Sequence, residues 1–469
     1  MIREFVDRET ERALLEEEWQ KDGGRLIILY GRRRIGKTRL VTEFVRGKEG
    51  ILHFAEDTAP QIQIRRLQEA IARSFADPLL ATLDITTWDQ LFTYITRIPL
   101  TERRYLVIDE FTYLIKNDPT ILSALQKAWD TALAGSNWCI LLSGSTLRLM
   151  TDSALSYTSP LYGRRTRDML LGPLRFRDAR QFLPSFSFGD ALKAYLTIGG
   201  IPEYLLKAGD YRSYETFVER EFFNRYGYFY REPCFLLSQE FRELKTYQAI
   251  LNAIAVGNTA PGTIAQFCGM DARHLYPYLE AMTRLRIIER ELPLLASRRQ
   301  GLYRIEDCIF DFWYNFVFSH RQAIEMENHP IDTIDTNPYF GKQFEVFMRN
   351  ELARAAFPGY TIGRWWYRGD EVDLVATRES DASIVFGECK WGDLTEREAR
   401  GVLTRLVQKA ERIRHDRYTH ERFCLVAGGV EGKGRLREEG FLVYDLADVE
   451  AACSAGQAPA RTYSSPEER

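Results

Sequence analysis

The chain has 469 residues, of which 45% are hydrophobic and 28% are charged, and its formal net charge is -3. This length predicts two to four domains with substantial cores, and the balanced charge excludes a general attraction to nucleic acid or membranes, so that a nucleic-acid site would have to be a local patch. Seven scattered cysteines without a C-x-x-C pair argue against a disulfide framework and a structural zinc site, and they predict a cytoplasmic protein. The sequence has neither a signal-peptide core nor an apolar run of about 18 residues, which predicts no membrane partner.

The first motif joins a short apolar strand to a glycine-rich loop. Residues 25–30, RLIILY, predict a buried strand, and residues 31–38, GRRRIGKT, fit G-x-x-x-x-G-K-[ST] at every fixed position. Gly36 lets the backbone approach a phosphate, Lys37 places a positive charge near the β- and γ-phosphates, and the Thr38 hydroxyl can ligate Mg²⁺. Apolar residues at helical spacing follow, so strand, loop and helix provide the setting that a phosphate-binding loop requires.

ATP and Mg²⁺ are therefore the expected cofactors. The predicted nucleotide-binding residues form one continuous segment: Gly31, Arg32, Arg33, Arg34, Ile35, Gly36, Lys37, Thr38 and Arg39. Only the backbone is required at the three positions after Gly31, so these arginines have three open interpretations. They touch phosphate, contact a neighbouring subunit or face solvent.

A second strand ends in two acids. Residues 104–111, RYLVIDEF, place Asp109 and Glu110 directly after an apolar run. We expect Asp109 to hold the metal with Thr38, and Glu110 to polarise the attacking water. The carboxyl ends of such strands are where ligands bind in open α/β sheets, whereas the competing interpretation is that the acids cap a helix.

A third apolar strand leads into a Ser-Gly-Ser sequence. Ser143 follows the run 139–142 and is the predicted sensor of the γ-phosphate or of the attacking water, unless the segment is only a turn capping the helix near Leu147. Arg164 and Arg165 then occupy a loop in which an arginine can act on a phosphate, in cis or from a neighbouring subunit. An exposed basic loop is the alternative.

The order of these motifs resembles the prokaryotic and archaeal AAA-type ATPases of the STAND-related clade, over nearly the whole chain. The resemblance is carried by FVDRETERALL (5–15), GRRRIGKT (31–38), YLVIDEF (105–111), LLSGSTLRLM (141–150), SPLYGRRT (159–166) and GGIPEYL (199–205). It implies a RecA-like P-loop core over 1–172 and a helical lid over 173–235. It also implies that the chain passes near the adenine at Phe5, Asp7, Arg8 and Glu9, and it adds Arg167 as a third candidate arginine finger.

The segment 236–325 predicts three helices, broken near Gly257 and Gly269, followed by two strands. This pattern is typical of a winged helix-turn-helix. The second helix of the motif and its end offer DNA-contacting side chains: Arg273, His274, Tyr276, Tyr278, Arg284 and Arg286. A packing or protein-contact module is the open alternative.

The segment 336–450 combines an amphipathic helix with charged residues inside apolar strands. Asp373 lies in one strand, and Glu388 and Lys390 lie in another, where alternation places both on one face. The D…E-x-K arrangement resembles the PD-(D/E)xK nuclease fold, which implies that Asp373 and Glu388 hold Mg²⁺, that Glu345 adds an oxygen ligand and that Lys390 orients water or stabilises charge. Solvated charges at a strand end, or an inactive nuclease fold, are the alternatives.

Two further predictions concern the end of the chain. Residues 400–420 read as a basic helix, which would lie along a phosphate backbone or simply face solvent. Residues 451–469 read as a disordered tail.

The predicted fold class is therefore α/β multidomain: a RecA-like P-loop parallel sheet with a helical lid, a winged helix and a small α/β PD-(D/E)xK-like C-terminal domain. The predicted function is that of a Mg²⁺-dependent ATPase that couples nucleotide state to a winged-helix and nuclease-like effector acting on DNA or RNA. An arginine finger supplied in trans would require a homo-oligomer. The alternative is a nucleotide-dependent switch or scaffold that works through protein contacts and carries an inactive nuclease fold.

Overall fold

The computed structural model describes residues 6–295, 301–326, 334–413 and 417–454. Their contacts divide them into two compact units, one comprising 6–174 with 201–203 and the other comprising 175–200 with 204–454. No helix in these described ranges has the length and apolar character needed to cross a membrane. The predicted boundary at 172 lies two residues before this division, and the finer subdivision of the second unit stays a prediction.

The first unit is built on a five-stranded sheet. Its strands are β1 (Arg25–Tyr30), β2 (Gly50–Phe54), β3 (Arg104–Asp109), β4 (Trp138–Gly144) and β5 (Arg167–Leu170). Their order is β2-β3-β4-β1-β5, and every neighbouring pair is parallel. The central strands are nearly continuous apolar runs because both faces of a parallel sheet are buried.

The described part of this unit contains eight α-helices, one before β1 and seven between its strands. They are α1 (Glu9–Gln20), α2 (Lys37–Val45), α3 (Pro60–Ser74), α4 (Pro78–Thr82), α5 (Trp88–Ile95), α6 (Thr112–Asn117), α7 (Thr120–Thr131) and α8 (Leu147–Leu149), the last continued by a π-helical turn over Met150–Leu155. Parallel pairing places the carboxyl ends of all five strands at one edge of the sheet. The loop after β1 and the acids that end β3 therefore share that edge.

The second unit begins with a helical region. Its helices are α9 (Phe176–Ala179), α10 (Phe188–Ile198), α11 (Pro202–Gly209, whose first two residues belong to the first unit), α12 (Tyr214–Glu221), α13 (Tyr228–Glu240), α14 (Leu244–Ala255), α15 (Pro261–Phe267) and α16 (Ala272–Arg284). An antiparallel hairpin of β6 (Ile288–Glu291) and β7 (Leu302–Ile305) follows. The predicted order of three helices and two strands in this segment is confirmed.

A second sheet follows four more helices, which are α17 (Cys308–Phe312), α18 (Arg321–Glu325), α19 (Asn337–Phe347) and α20 (Ala353–Ala356). Two π-helical turns cover Trp313–Phe318 and Met348–Leu352. The sheet contains β8 (Thr361–Tyr367), β9 (Asp370–Arg378), β10 (Ser383–Lys390), β11 (His420–Ala427) and β12 (Leu442–Tyr444), with α21 (Glu396–Ala410), α22 (Lys433–Glu438) and α23 (Leu446–Ser454). The strand order is β12-β11-β10-β9-β8. Pairs among β8, β9 and β10 are antiparallel, and pairs among β10, β11 and β12 are parallel, so this sheet is mixed.

Helix α21 packs on this sheet through an apolar stripe. Leu406 and Ala410 contact the strand residues Ile384 and Phe386 in one buried cluster. The predicted basic helix over 400–420 is wrong in extent, because α21 ends at Ala410 and His420 begins β11. Residues 411–413 turn away from α21, and His420 pairs with Ser383 as the first residue of β11, so the chain leaves the helix before it enters the sheet.

The end of the chain also differs from its prediction in part. Residues 451–454 complete α23, which is anchored by the buried Val449, so the predicted start of a disordered tail at 451 falls inside a helix. The rest of that predicted tail, 455–469, lies outside the described residues.

Candidate functional site

The loop between β1 and α2 depends on two glycines. A Cβ on Gly31 would lie 2.7 Å from the carbonyl oxygen of Leu171, so only glycine fits where the loop leaves the sheet. Gly36 has φ of 95°, a conformation that side chains with a Cβ rarely adopt. Helix α2 then starts at Lys37, and its first N–H groups, which have no partner within the helix, are directed at the loop.

The ammonium group of Lys37 is held inside this loop. The side chain is 5% exposed, and Nζ donates hydrogen bonds to the carbonyl oxygens of Gly31 (2.9 Å) and Arg32 (3.1 Å). Burial lowers the pKa of Lys37 to about 8, although the charges of Glu110 and Asp109 oppose the shift. A phosphate group in the loop would restore the positive charge, because it adds a negative partner at close range.

This lowered pKa predicts that ATP binding is coupled to proton uptake. As the pH rises through about 8 the free amine becomes neutral and must take up a proton to bind phosphate, so ATP affinity should be about tenfold weaker at pH 9 than at pH 7. Calorimetry in buffers of different ionisation enthalpy measures the uptake. Lys37→Arg, which stays charged at both pH values, should show neither the uptake nor the loss.

The two residues predicted to hold the metal are in direct contact. Thr38 Oγ1 donates a hydrogen bond of 2.6 Å to Asp109 Oδ2, and Asp109 is 2% exposed. Hydroxyl and carboxylate oxygens are ligands that suit Mg²⁺, which ordinarily takes its remaining ligands from water and substrate phosphates. The described ranges contain no group of three or more His, Cys, Asp or Glu side chains that could hold a metal ion by themselves. The donor set therefore fits a cation that arrives with the nucleotide.

Glu110 is held by a residue that sequence reasoning missed. Its backbone has φ of 55°, and its Oε2 accepts hydrogen bonds from Ser145 Oγ (2.6 Å) and Thr112 Oγ1 (3.4 Å). The predicted sensor Ser143 lies fully buried in β4, and its Oγ has no hydrogen-bond partner within the described residues. The Ser-Gly-Ser sequence contained both hydroxyls, but only the strand end at Gly144 determines which of them leaves the sheet.

The other residues of the loop have partners of their own. Arg33 Nη2 donates to the Tyr113 hydroxyl at 2.9 Å, and Arg34 Nε lies 3.1 Å from Glu203 Oε1. Arg32 is half-buried, Ile35 is buried and Arg39 is exposed on α2.

The opening motif supports the loop through Arg8. Its guanidinium is 5% exposed, and Nη2 donates to the carbonyl oxygens of Ile35 (3.2 Å) and Gly172 (2.7 Å). Asp7 also has positive φ, Glu9 is exposed, and Phe5 lies outside the described residues. Arg8 thus fixes the position of the phosphate-binding loop relative to the chain that follows β5.

The three candidate arginine fingers lie at or before the start of β5. Arg164 makes two hydrogen bonds of 2.7 Å to Asp130, Arg165 Nε donates to Asp168 at 3.0 Å, and Arg167 Nε donates to Glu18 at 3.2 Å. Because β5 runs parallel to β1, its start lies at the edge of the sheet opposite the phosphate-binding loop.

The second unit brings together the three residues of the predicted nuclease motif. Antiparallel pairing of β9 with β10 sets Asp373 beside Glu388, and the two carboxylates are 6% and 5% exposed. Lys390 Nζ lies 3.1 Å from Glu388 Oε2 and 3.8 Å from Asp373 Oδ2. Asp373 Oδ2 also accepts a hydrogen bond of 2.9 Å from the backbone N–H of Cys389. The predicted convergence of these side chains is therefore seen in the structure.

The two carboxyl groups differ in protonation. Burial and the charges of Glu345 and Glu388 raise the pKa of Asp373. Burial opposes ionisation of Glu388 too, but hydrogen bonds from Asp373 and Lys409 bring its pKa below the usual range. Burial raises the pKa of Glu345, which is half-buried on α19. Asp373 is therefore the carboxyl group of the pair that binds a proton more readily.

Two cations near this pair were not predicted. Lys409 on α21 donates to Glu388 Oε1 and, at 2.9 Å, to the carbonyl oxygen of Glu371. Arg349, which is 7% exposed, donates through Nη1 to the carbonyl oxygen of Asp373 at 2.7 Å. Nothing in the D…E-x-K spacing pointed to them, because both come from helices that only the tertiary fold places against the sheet.

The predicted DNA-contacting residues of α16 are partly engaged within the protein. Arg273 pairs with Asp271 at 2.9 Å, Arg286 pairs with Glu306 at 2.8 Å, and the ring of Tyr278 packs against that of Tyr247. His274 and the half-exposed Tyr276 reach the surface, as does Arg284, which pairs with Glu280 at 3.4 Å. Intramolecular pairing therefore lowers the positive charge that this helix presents.

Comparison with known proteins agrees with this arrangement. Residues 5–208 match a family described as an ATPase domain predominantly from Archaea, and residues 313–402 match a family of archaeal and bacterial proteins of unknown function. An uncharacterized protein of Methanocaldococcus jannaschii is 32% identical over 457 residues, covering 95% of this chain and 99% of its own. An uncharacterized ATP-binding protein of the same organism is 49% identical over 45 residues, or 10% of this chain and 76% of its own.

A solved structure shares the fold. The Walker-type ATPase of Pyrococcus abyssi superposes with a TM-score of 0.50 at 22% identity, covering 66% of this chain and 96% of its own. The parallel sheet, the phosphate-binding loop and the Thr38–Asp109 contact thus define an AAA-like P-loop ATPase domain. The chain belongs to the family of the long Methanocaldococcus jannaschii relative, and it joins the archaeal ATPase domain to the C-terminal domain of unknown function.

Proposed function

We propose that this protein is a Mg²⁺-dependent ATPase whose nucleotide state controls a winged-helix and nuclease-like effector region acting on nucleic acid. The observation that supports the ATPase most directly is the 2.6 Å contact between Thr38 Oγ1 and Asp109 Oδ2. It joins the loop after β1 to the acid that ends β3, although β4 separates these strands in the sheet. Hydroxyl and carboxylate thereby meet where a nucleotide-bound cation would need both.

Each residue of the site has a separate role in this proposal. Lys37 would bind the β- and γ-phosphates, and Thr38 with Asp109 would hold Mg²⁺, which neutralises phosphate charge when bound with ATP. Glu110 would accept a proton from the attacking water, and Ser145 positions its carboxylate in the protein without nucleotide. Ser143 remains the sequence-based candidate for sensing the γ-phosphate.

The proposed domains follow the order of elements along the chain. A RecA-like core over 1–172 and a lid over 173–235 would precede a winged helix over 236–325, which is supported by the helices α14 to α16 and the β6–β7 hairpin. A PD-(D/E)xK-like domain over 336–450 is supported by a mixed sheet whose adjacent strands bring Asp373 to Glu388. There Asp373 and Glu388 would hold a divalent cation and Lys390 would orient a water molecule.

An arginine finger would have to come from another copy of the chain. Arg164, Arg165 and Arg167 all lie at the edge of the sheet opposite the phosphate-binding loop. The four residues of β5 span about 13 Å, and this distance separates the arginines from the loop of the same subunit. This placement favours a homo-oligomer in which one copy completes the site of the next.

A second candidate function is a nucleotide-dependent switch that works through protein contacts. It is favoured by the two ammonium groups of Lys390 and Lys409, which both contact Glu388. A carboxylate paired in this way is already neutralised, as it would be in a nuclease fold that serves only as a scaffold. The nuclease function requires a divalent cation to displace Lys390 and Lys409 from Glu388, whereas the switch function does not.

The ATP site can be tested at Thr38. Thr38→Val removes the hydroxyl at nearly constant volume, so the Mg²⁺-dependent part of ATP affinity should fall about tenfold or more, while affinity measured in EDTA should change little. Titration calorimetry with and without Mg²⁺ provides both values. Thr38→Ser keeps the hydroxyl and should bind like the wild type, and equal affinities for all three proteins would contradict the site.

A further inference from the structure

The hairpin between β8 and β9 presents aromatic and basic side chains beside the carboxylate pair. Tyr367 is 42% exposed, and the guanidinium of Arg368 lies 5.1 Å from its ring centre. The guanidinium of Arg364 lies 4.8 Å from the ring centre of Trp366. Two arginine–aromatic pairs therefore occupy one short hairpin, and Trp366 and Tyr367 project from its opposite faces because they are consecutive residues of a strand.

The strand register places this hairpin next to Asp373. Trp366 pairs with Glu371, which precedes Asp373 by two residues on β9. Residues two apart on a strand point to the same face, so Trp366 lies on the face that carries Asp373, at a diagonal distance of about 8 Å. A chain bound along the hairpin would thus pass beside the two carboxylates.

The turn of the hairpin is unusual in its first residue. Arg368 has φ of 51° and Gly369 has φ of 93°, as a tight two-residue turn of this type requires. Asparagine, aspartate or glycine is preferred at the first of these positions, and an arginine there is strained by its Cβ. An exposed arginine at a position that disfavours it suggests that its side chain serves binding.

A row of basic residues on α21 continues from the hairpin. Arg405 and Lys409 are four residues apart and so share one face of the helix, and Lys409 reaches Glu388 from that face. Arg412, just beyond the helix, pairs with Asp370 at the base of the hairpin turn at 3.3 Å. The row therefore runs from the hairpin across the carboxylate pair.

We propose that the hairpin and the basic face of α21 bind single-stranded nucleic acid, with a base stacked on Trp366 and phosphates held by Arg368, Arg405 and Arg412. Stacking platforms lined by basic residues bind single strands because every base offers an aromatic face, whereas the stacked bases of a duplex are not available to them. The proposal rests on the proposed action on nucleic acid and specifies its substrate class.

The test measures the fluorescence anisotropy of labelled dT20 and of a 20-base-pair duplex with the full chain in EDTA, which prevents cleavage. Trp366→Ala should weaken dT20 binding between about 5-fold and 100-fold, the range for losing one stacked base. Tyr367→Ala changes the neighbouring residue on the opposite face and should bind like the wild type. Arg368→Asn, which suits the turn and so should fold at least as well, should lower the slope of log affinity against log salt by about 0.7. Tyr226→Ala removes an equally aromatic side chain that is 80% exposed elsewhere in the second unit, and should bind like the wild type.

The binding results separate the single-strand proposal from the proposed action on nucleic acid. Wild-type affinity in Trp366→Ala and Arg368→Asn, or a preference for the duplex, would overturn the proposal while leaving the action on nucleic acid intact. Failure of the wild type to bind either probe would overturn both. Unchanged ATP affinity in all variants would show that the ATP site is independent of the loss.

Discussion

Glu110→Gln is expected to stop ATP turnover while ATP remains bound. Glutamine preserves the size of the side chain but cannot take a proton from water, and loss of a general base slows a reaction by about 10²- to 10⁴-fold. Its amide oxygen can still accept the hydrogen bond from Ser145 Oγ, so the segment between β3 and α6 should keep its conformation. Binding of ATP by Lys37, Thr38 and Asp109 should be unaffected.

The measurement compares single-turnover hydrolysis with ATP affinity from calorimetry. Glu102→Gln, at an exposed position two residues before β3, is the matched control and should behave as the wild type. Hydrolysis at the wild-type rate in Glu110→Gln would remove Glu110 from the proposed role. Loss of ATP affinity in the same variant would instead point to a structural role for the carboxylate.

We expect the wild type to cleave nucleic acid with Mg²⁺ or Mn²⁺ and the Asp373→Asn variant to lose this cleavage. The second unit of the variant should stay folded. Burial and the neighbouring carboxylates raise the pKa of Asp373 and so favour its neutral form, and asparagine is a neutral side chain of similar shape. A divalent cation, in contrast, requires the ionised form, and we expect a loss of at least about 100-fold when a metal-holding carboxylate is removed.

Lys390→Ala in the same assay separates the water-positioning group from the metal-holding one. It should also lose cleavage, but it should retain the metal affinity that Asp373→Asn lacks, measured by calorimetry with Mn²⁺. Glu379→Gln, exposed beyond the end of β9, is the control. If the wild type cleaves neither DNA nor RNA with either cation, the C-terminal domain is better described as the scaffold of a nucleotide-dependent switch.

Local chemistry determined much of the ATP site before any tertiary structure was considered. The positive φ of Gly36 is a local demand of the loop 31–38, whereas the crowding that requires glycine at position 31 comes from Leu171 in the distant segment after β5. An apolar run ended by Asp109 and Glu110 likewise specifies a buried strand that terminates in acids. Sequence patterns of this range predict strand, loop and helix because the forces involved are local.

The C-terminal carboxylates lie at the limit of such reasoning. Alternation along β10 places Glu388 and Lys390 on one face from the sequence alone. Their meeting with Asp373 depends on the antiparallel register of β9 with β10, since a shift by one residue would turn Asp373 to the other face. The resemblance to a known motif, and not the spacing itself, suggested that register.

The sequence by itself determined the residue types and order of the phosphate-binding loop, the two acids after β3 and the strands that carry the second carboxylate pair. Only the tertiary structure decided that Ser145 and not Ser143 contacts Glu110, that Lys409 and Arg349 reach the second pair, and that the candidate arginine fingers lie at the far edge of the sheet. These facts depend on strand order, register and helix docking between residues far apart in the chain, and no local pattern encodes such contacts.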